Sequence, residues 1–207
     1  MKTKSFFSFI FFFYCTIHLF AQGNWKQKAN FGGIARSNAA GFSIGTKGYI
    51  GTGSIGTSLR QDFWEYDPAT DSWTQKADFG GGARLAAVGF SIDTFGYIGT
   101  GFSSPNGPPY TYYNDFWEYN PTANTWIQKA SFSVGRYYAV GFSIGSKGYI
   151  GTGSDGSVDL NDFWQYDPMD DSWTQKANFG GTVRAGAAGF SIGALGYIGT
   201  GFAQAVG

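Results

Sequence analysis

Four of the chain's five arginines recur at equivalent places, Arg36, Arg84, Arg136 and Arg184, spaced 48, 52 and 48 residues apart. A guanidinium is a planar fork of donors, so four on one face could grip carboxylates or acidic peptides through paired hydrogen bonds. The competing expectation is structural: a feature repeated in every unit can lock each unit to the next through backbone carbonyls or a carboxylate. Positions that differ between units point better to a ligand. Ser37-Asn38, Leu85-Ala86, Tyr137-Tyr138 and Ala185-Gly186 follow the four arginines. The loop from Phe102 to Asn114 outruns its counterparts at Ser54–Gln61 and Ser154–Asn161, and carries Tyr110, Tyr112 and Tyr113 beside Pro108-Pro109. Tyrosines on a proline-stiffened loop offer large contact area at little entropic cost, which suits a sugar or a peptide. The candidate ligand-binding residues are therefore Arg36, Arg84, Arg136, Arg184, Asn38, Tyr137, Tyr138, Tyr110, Tyr112 and Tyr113. No catalytic or metal-ligating set is expected, and no cofactor. Asp155, Asp159 and Asp162 share a loop, but their spacing does not follow calcium-loop ligand logic and reads as turn acids.

These residues sit in a repeat. The string GFSIGTKGYIGTG at Gly41–Gly53 returns with small changes at Gly89–Gly101, Gly141–Gly153 and Gly189–Gly201. A second block, opening Asp-Phe-Trp, starts at Asp62, Asp115 and Asp162, and a copy of its end occupies Trp25–Phe31. Periods near 50 residues with short strands and glycine-marked turns predict propeller blades. Each unit parses into four antiparallel strands: Ala39–Ile44, a glycine-rich inner strand Gly48–Gly53, Phe63–Asp67 and an outer strand Trp73–Phe79. In the third, Phe63 and Glu65 share one face while Trp64 and Tyr66 share the other. Asp67-Pro68 opens a tight turn, its carboxylate placed to bond a nearby amide. The acids Asp67, Asp71, Asp167, Asp170 and Asp171 read as turn formers, and the repeated Trp and Tyr as blade core.

Residues 1–22 stand apart: Lys2 and Lys4, an apolar run from Phe6 to Phe20, then Ala21-Gln22. This reads as a secretory signal peptide, its run shorter than the roughly 18 residues that span a bilayer. The chain's only cysteine, Cys15, and only histidine, His18, would leave with it. The secreted remainder, 12 basic and 14 acidic side chains, would hold together without disulfides and without the side chain most used near neutral pH. No basic run suits nucleic acid, and no membrane contact is expected after cleavage.

The glycine-rich Gly48-Tyr49-Ile50-Gly51-Thr52-Gly53, followed by a tyrosine, six residues and a tryptophan (Tyr66/Trp73, Tyr119/Trp126, Tyr166/Trp173), resembles the kelch repeat. One departure is that Thr52, Thr100, Thr152 and Thr200 interrupt the adjacent glycines usual there. The resemblance implies an all-β propeller of about three and a half blades over residues 23–207: 36–83, 84–135, 136–183 and a partial blade 184–207. The ring is expected to be incomplete, part of a longer chain of six or seven blades; a natural short form would close by self-association. Residues 25–31 would serve as an outer closing strand. It also implies that the arginine register points toward the mouth of the central channel. The expected function is a secreted binding protein, not an enzyme, for a glycan, peptide or protein. The alternatives within the resemblance are a fragment of a sialic-acid mutarotase, for which no base stands beside the arginines, or of a galactose-oxidase-like copper enzyme, whose histidine and cysteine the secreted part lacks.

Overall fold

The computed structural model describes residues 24–103 and 107–203. The expected signal peptide, with Cys15 and His18, lies outside them. Among the described residues the fold is all β, without a helix. The first blade is a four-stranded antiparallel sheet of β1 (Ala40–Ile44), β2 (Lys47–Gly51), β5 (Phe63–Asp67) and β6 (Ser72–Lys76), in the order β1-β2-β5-β6. Between β2 and β5 lies a short hairpin, β3 (Ser54–Ile55) with β4 (Ser58–Leu59). The second blade pairs β7 (Val88–Ile92), β8 (Phe95–Gly99), β11 (Phe116–Asn120) and β12 (Thr125–Lys129) in the same way. Its own hairpin is β9 (Phe102–Ser103) with β10 (Thr111–Tyr112). The third comprises β13 (Val140–Ile144), β14 (Lys147–Gly151), β15 (Phe163–Asp167) and β16 (Ser172–Lys176). A pair, β17 (Ala188–Ile192) and β18 (Leu195–Gly199), begins the fourth. These successive blades form an open arc of a propeller.

The innermost strands are the first of each unit: β1 packs on β7, β7 on β13 and β13 on β17. The expectation that the second strand lines the axis is thus corrected by one strand. Small residues such as Ala39 to Gly41, Ala87 and Gly89 let the first strands crowd there. The second-strand glycines have another duty. A Cβ at Gly148 would come 2.6 Å from the ring of Phe90; Gly148, like Gly96 and Gly196, admits the preceding blade's phenylalanine.

The second strand stops at Gly51 because Thr52 turns left-handed, with φ of 62°. The outer strand stops at Lys76 because Ala77 to Phe79 leave the sheet for the next blade. The Ala77 N–H donates to Asn124 Oδ1 at 2.9 Å, and the Ala77 carbonyl accepts from Trp126 Nε1 at 3.2 Å. The third strand keeps its expected bounds and faces, with Phe63 fully buried and Glu65 8% exposed. The turn after it is built as expected: Asp67 Oδ1 accepts the Ala69 N–H at 2.8 Å. Residues 25–31 form no strand. Their end takes the place on the first blade that Ala77 to Phe79 take on the second: the Ala29 N–H donates to Asp71 at 3.0 Å, and Phe31 sets its edge on Trp73.

Two aromatic layers join the blades. Phe63 meets Tyr119 and Trp126 of the second blade at ring-centroid distances of 4.8 and 5.0 Å. Phe116 meets Tyr166 and Trp173 of the third at the same distances. The buried core runs along these interfaces.

Candidate functional site

Three of the four arginines, Arg36, Arg84 and Arg136, turn into the protein. Arg84 and Arg136 are fully buried, and the Arg36 side chain is 3% exposed. Each forks onto the aspartate that opens the Asp-Phe-Trp block of its own blade. Arg36 holds Asp62 by two bonds of 2.6 Å, Arg84 holds Asp115 at 2.5 and 2.9 Å, and Arg136 holds Asp162 at 2.7 and 2.8 Å. The same guanidiniums donate to the carbonyls of Thr52, Thr100 and Thr152 at 3.1, 2.9 and 2.9 Å. Those threonines hold φ near 60°, a conformation that is strained for a β-branched residue and persists only where its surroundings fix it. Arg36, Arg84 and Arg136 also lie over Phe31, Phe79 and Phe132 from the preceding segment.

This corrects the guanidinium ring as a ligand grip at Arg36, Arg84 and Arg136. Their terminal nitrogens are spent on the aspartates and on the carbonyls of the strained turns. Arg184 occupies the same register, donating to the carbonyls of Thr182 and Thr200, and enters no ion pair among the described residues. Asp162, expected as a turn acid, is instead the partner of Arg136, whereas other acids do shape turns. Asp155 caps its loop through the amides of Ser157 and Val158, while Asp71 and Asp171 accept from Tyr66 and Tyr166.

The arginine clamps carry a pH signature. The bidentate Arg36 holds the Asp62 carboxyl below its ordinary value against the pull of burial. Burial would raise Asp162, but Arg136 and Trp164 outweigh it and leave it lowered. A depressed folded pKa contributes stability that is present above the unfolded value of about 3.9 and lost as pH falls through the folded one. Thermal melts should therefore shift little between about pH 7 and 5 and drop steeply below about pH 4. In Asp62→Asn the acid drop should be shallower than in the parent.

The tyrosines gather. Phe102 of β9 packs against both Tyr112 and Tyr137, each 5.5 Å away between ring centroids, with Tyr110 at 5.7 Å. Tyr112 stacks on Tyr137 at 5.5 Å, and Tyr137 continues to Tyr138 at 5.2 Å. Two segments far apart in sequence thus build one aromatic platform. Tyr110 is its most open member at 53% exposure, while Tyr112, Tyr137 and Tyr138 are half-buried. Phe102 is a member that the sequence did not single out. Tyr113 leaves the group: its ring lies 3.7 Å from the Arg84 guanidinium carbon, and its hydroxyl meets Ser103 at 3.0 Å.

Asn38, Ala86, Tyr138 and Gly186 occupy one register around the axis, all with positive φ. The N–H of Ala86 donates to the Asn38 carbonyl, that of Tyr138 to Ala86, and that of Gly186 to Tyr138, a hydrogen-bonded step between neighbouring blades. They rim a mouth of about 300 Å³. Asn38 and Tyr138 are its two large polar side chains, and Tyr138 joins the mouth to the platform. Among the described residues, no three His, Cys, Asp or Glu side chains gather as a metal ion would require.

A family model, the Kelch motif, matches residues 152–180, the stretch holding Tyr166 and Trp173. A solved structure described as "Structure of YjhT" matches with a TM-score of 0.69 at 20% identity, covering 80% of this chain and 58% of that one. At that identity the likeness is one of fold, and the chain spans a little over half of that structure's length. No curated protein sequence matches the chain.

Proposed function

We propose, from the premise that the chain is a kelch-repeat β-propeller, that it is a secreted binding module taking its ligand on the loop face at the tyrosine platform. Kelch repeats generally mediate protein interactions, and a peptide or protein ligand is one outcome of the test below. A glycan is the class that the rings favour. Sugar rings lay apolar C–H faces on aromatic surfaces while their hydroxyls seek polar edges, and tyrosine supplies both. The single observation that carries this reading is the convergence of Phe102, Tyr110, Tyr112, Tyr137 and Tyr138, ring against ring, with Tyr110 open to solvent. The aspartate-clamped Arg84 and Arg136 lend no support to a substrate-carboxylate grip of the mutarotase kind.

Parallel glycan and peptide arrays probed with the chain test this reading. Tyr110→Ala combined with Tyr137→Ala should weaken a glycan hit about tenfold, the worth of one to two aromatic contacts. Retained affinity in that folded double variant would remove the platform from the site. Hits confined to peptides would replace the glycan with a protein ligand.

A further inference from the structure

The fifth arginine behaves unlike the other four. Arg60 follows β4, its backbone fixed by an N–H bond to the Gly53 carbonyl at 2.9 Å and by the Arg84 N–H on its own carbonyl at 3.2 Å. Its Nε is buried without a hydrogen-bond partner, and its guanidinium enters no ion pair, hydrogen bond or ring contact among the described residues. The Nε of Arg84 and of Arg136 is buried without a partner too, but their terminal nitrogens are paired. Of the five arginines Arg60 alone keeps its whole guanidinium unpaired among the described residues, open to a ligand in the cleft. It lines a cleft of about 620 Å³ between the β3–β4 hairpin and the β9–β10 hairpin, a size within the range of small-molecule sites. Among the described residues the other polar side chains in the wall are hydroxyls, those of Thr57, Ser58, Ser103 and Tyr113, and none is a carboxylate. Arg60 is also where the repeat breaks: the residues in its register are Tyr113 and Leu160, each donating to the matching glycine carbonyl.

We infer that this cleft binds the carboxylate of an acidic sugar, with the Arg60 guanidinium as the fork and the hydroxyl wall meeting the sugar's own hydroxyls. The assignment rests on the glycan reading above and extends it, because Ser103 and Tyr113 adjoin Phe102 and Tyr112 of the platform. One charged donor facing an uncharged hydroxyl wall fits a single carboxylate carried on a polyol better than a bare anion.

Titration of the chain with D-glucuronate, D-glucose and acetate, followed by intrinsic fluorescence, tests the assignment. Saturable binding is expected for glucuronate, much weaker binding for glucose and for acetate, and a marked loss in 1 M salt as screening sets in. Arg60→Met, which keeps the apolar stem, should weaken glucuronate about tenfold or more. Arg60→Lys should fall between it and the parent, because it keeps the charge and loses the fork. Urea midpoints of both variants close to the parent's would show that the loss is one of binding. Unchanged affinity in Arg60→Met, equal binding of glucose or acetate, or no saturable binding to the parent would each overturn the inference. Loss of a glycan-array hit in the Tyr110/Tyr137 double variant, with glucuronate indifferent to Arg60→Met, would leave the platform and remove the cleft. The reverse pattern would leave the cleft and remove the platform.

Discussion

Asp115→Ala is expected to lower the stability of the chain by about 3–5 kcal/mol, as when one partner of a buried ion pair is removed. Arg84 is fully buried and gives both terminal nitrogens to Asp115, whose Oδ2 also accepts the indole N–H of Trp117 at 2.8 Å. Removing the carboxylate strands a guanidinium that stays charged at any working pH, between the rings of Phe79 and Tyr113. The carbonyls of Thr100 and Gly81 still accept from it, but they carry no charge to balance it. Urea unfolding measures the loss. Replacing both partners, Arg84→Met with Asp115→Leu, should recover most of it, because the penalty lies in the orphaned charge. Arg184→Ala is the internal comparison: same register, no aspartate, and an expected change within about 0.5 kcal/mol. Asp115→Ala within about 1 kcal/mol of the parent, against that same range, would mean that the two carbonyls alone hold the arginine.

Local features were legible because they depend on neighbours in the chain. The alternation of Phe63 and Glu65 against Trp64 and Tyr66 set the faces of β5, and Asp67-Pro68 announced its turn. The arginine clamp was not. Both of its halves recur in every unit, but 26 residues separate Arg36 from Asp62 and 31 separate Arg84 from Asp115. Which of several repeated acids meets the arginine depends on how β2 and β5 pair across a loop of variable length. The repeated Asp-Phe-Trp block was the available signal, since an acid invariant between units asks for an equally invariant cation. The platform was half legible. Tyr112 and Tyr137 each stood out by breaking the repeat, but their meeting belongs to the step between blades, which no local pattern encodes. Arg60 breaks the repeat too, but it lies outside the recurring set that the arginine spacing picks out.

Phe116→Ala is expected to cost about 3–5 kcal/mol, the range for emptying a large aromatic site in a packed core. The residue is 1% exposed. It stacks on Tyr97 of its own blade at 5.3 Å and offers its ring to the edges of Tyr166 and Trp173 on the next. Truncation therefore opens a void at the joint between two blades, which rigid sheets on either side cannot close. Phe63 and Phe163 hold the same register, so the three make a graded series. Phe63→Ala should match Phe116→Ala, since Tyr119 and Trp126 lie against it. Phe163→Ala should cost clearly less. Its ring is only half-buried and faces a cavity of about 250 Å³, which Phe142 and Phe179 also line, with Gly196 and Ile198 of the two-stranded unit opposite. In a repeat protein, stability is approximately a sum of unit terms and nearest-neighbour interfaces, and this series varies the interface while holding sequence, strand and register constant. Three equal losses in urea unfolding would place the stabilisation inside each sheet. The expected order, Phe63 and Phe116 together and Phe163 well below, would place it in the joints between blades.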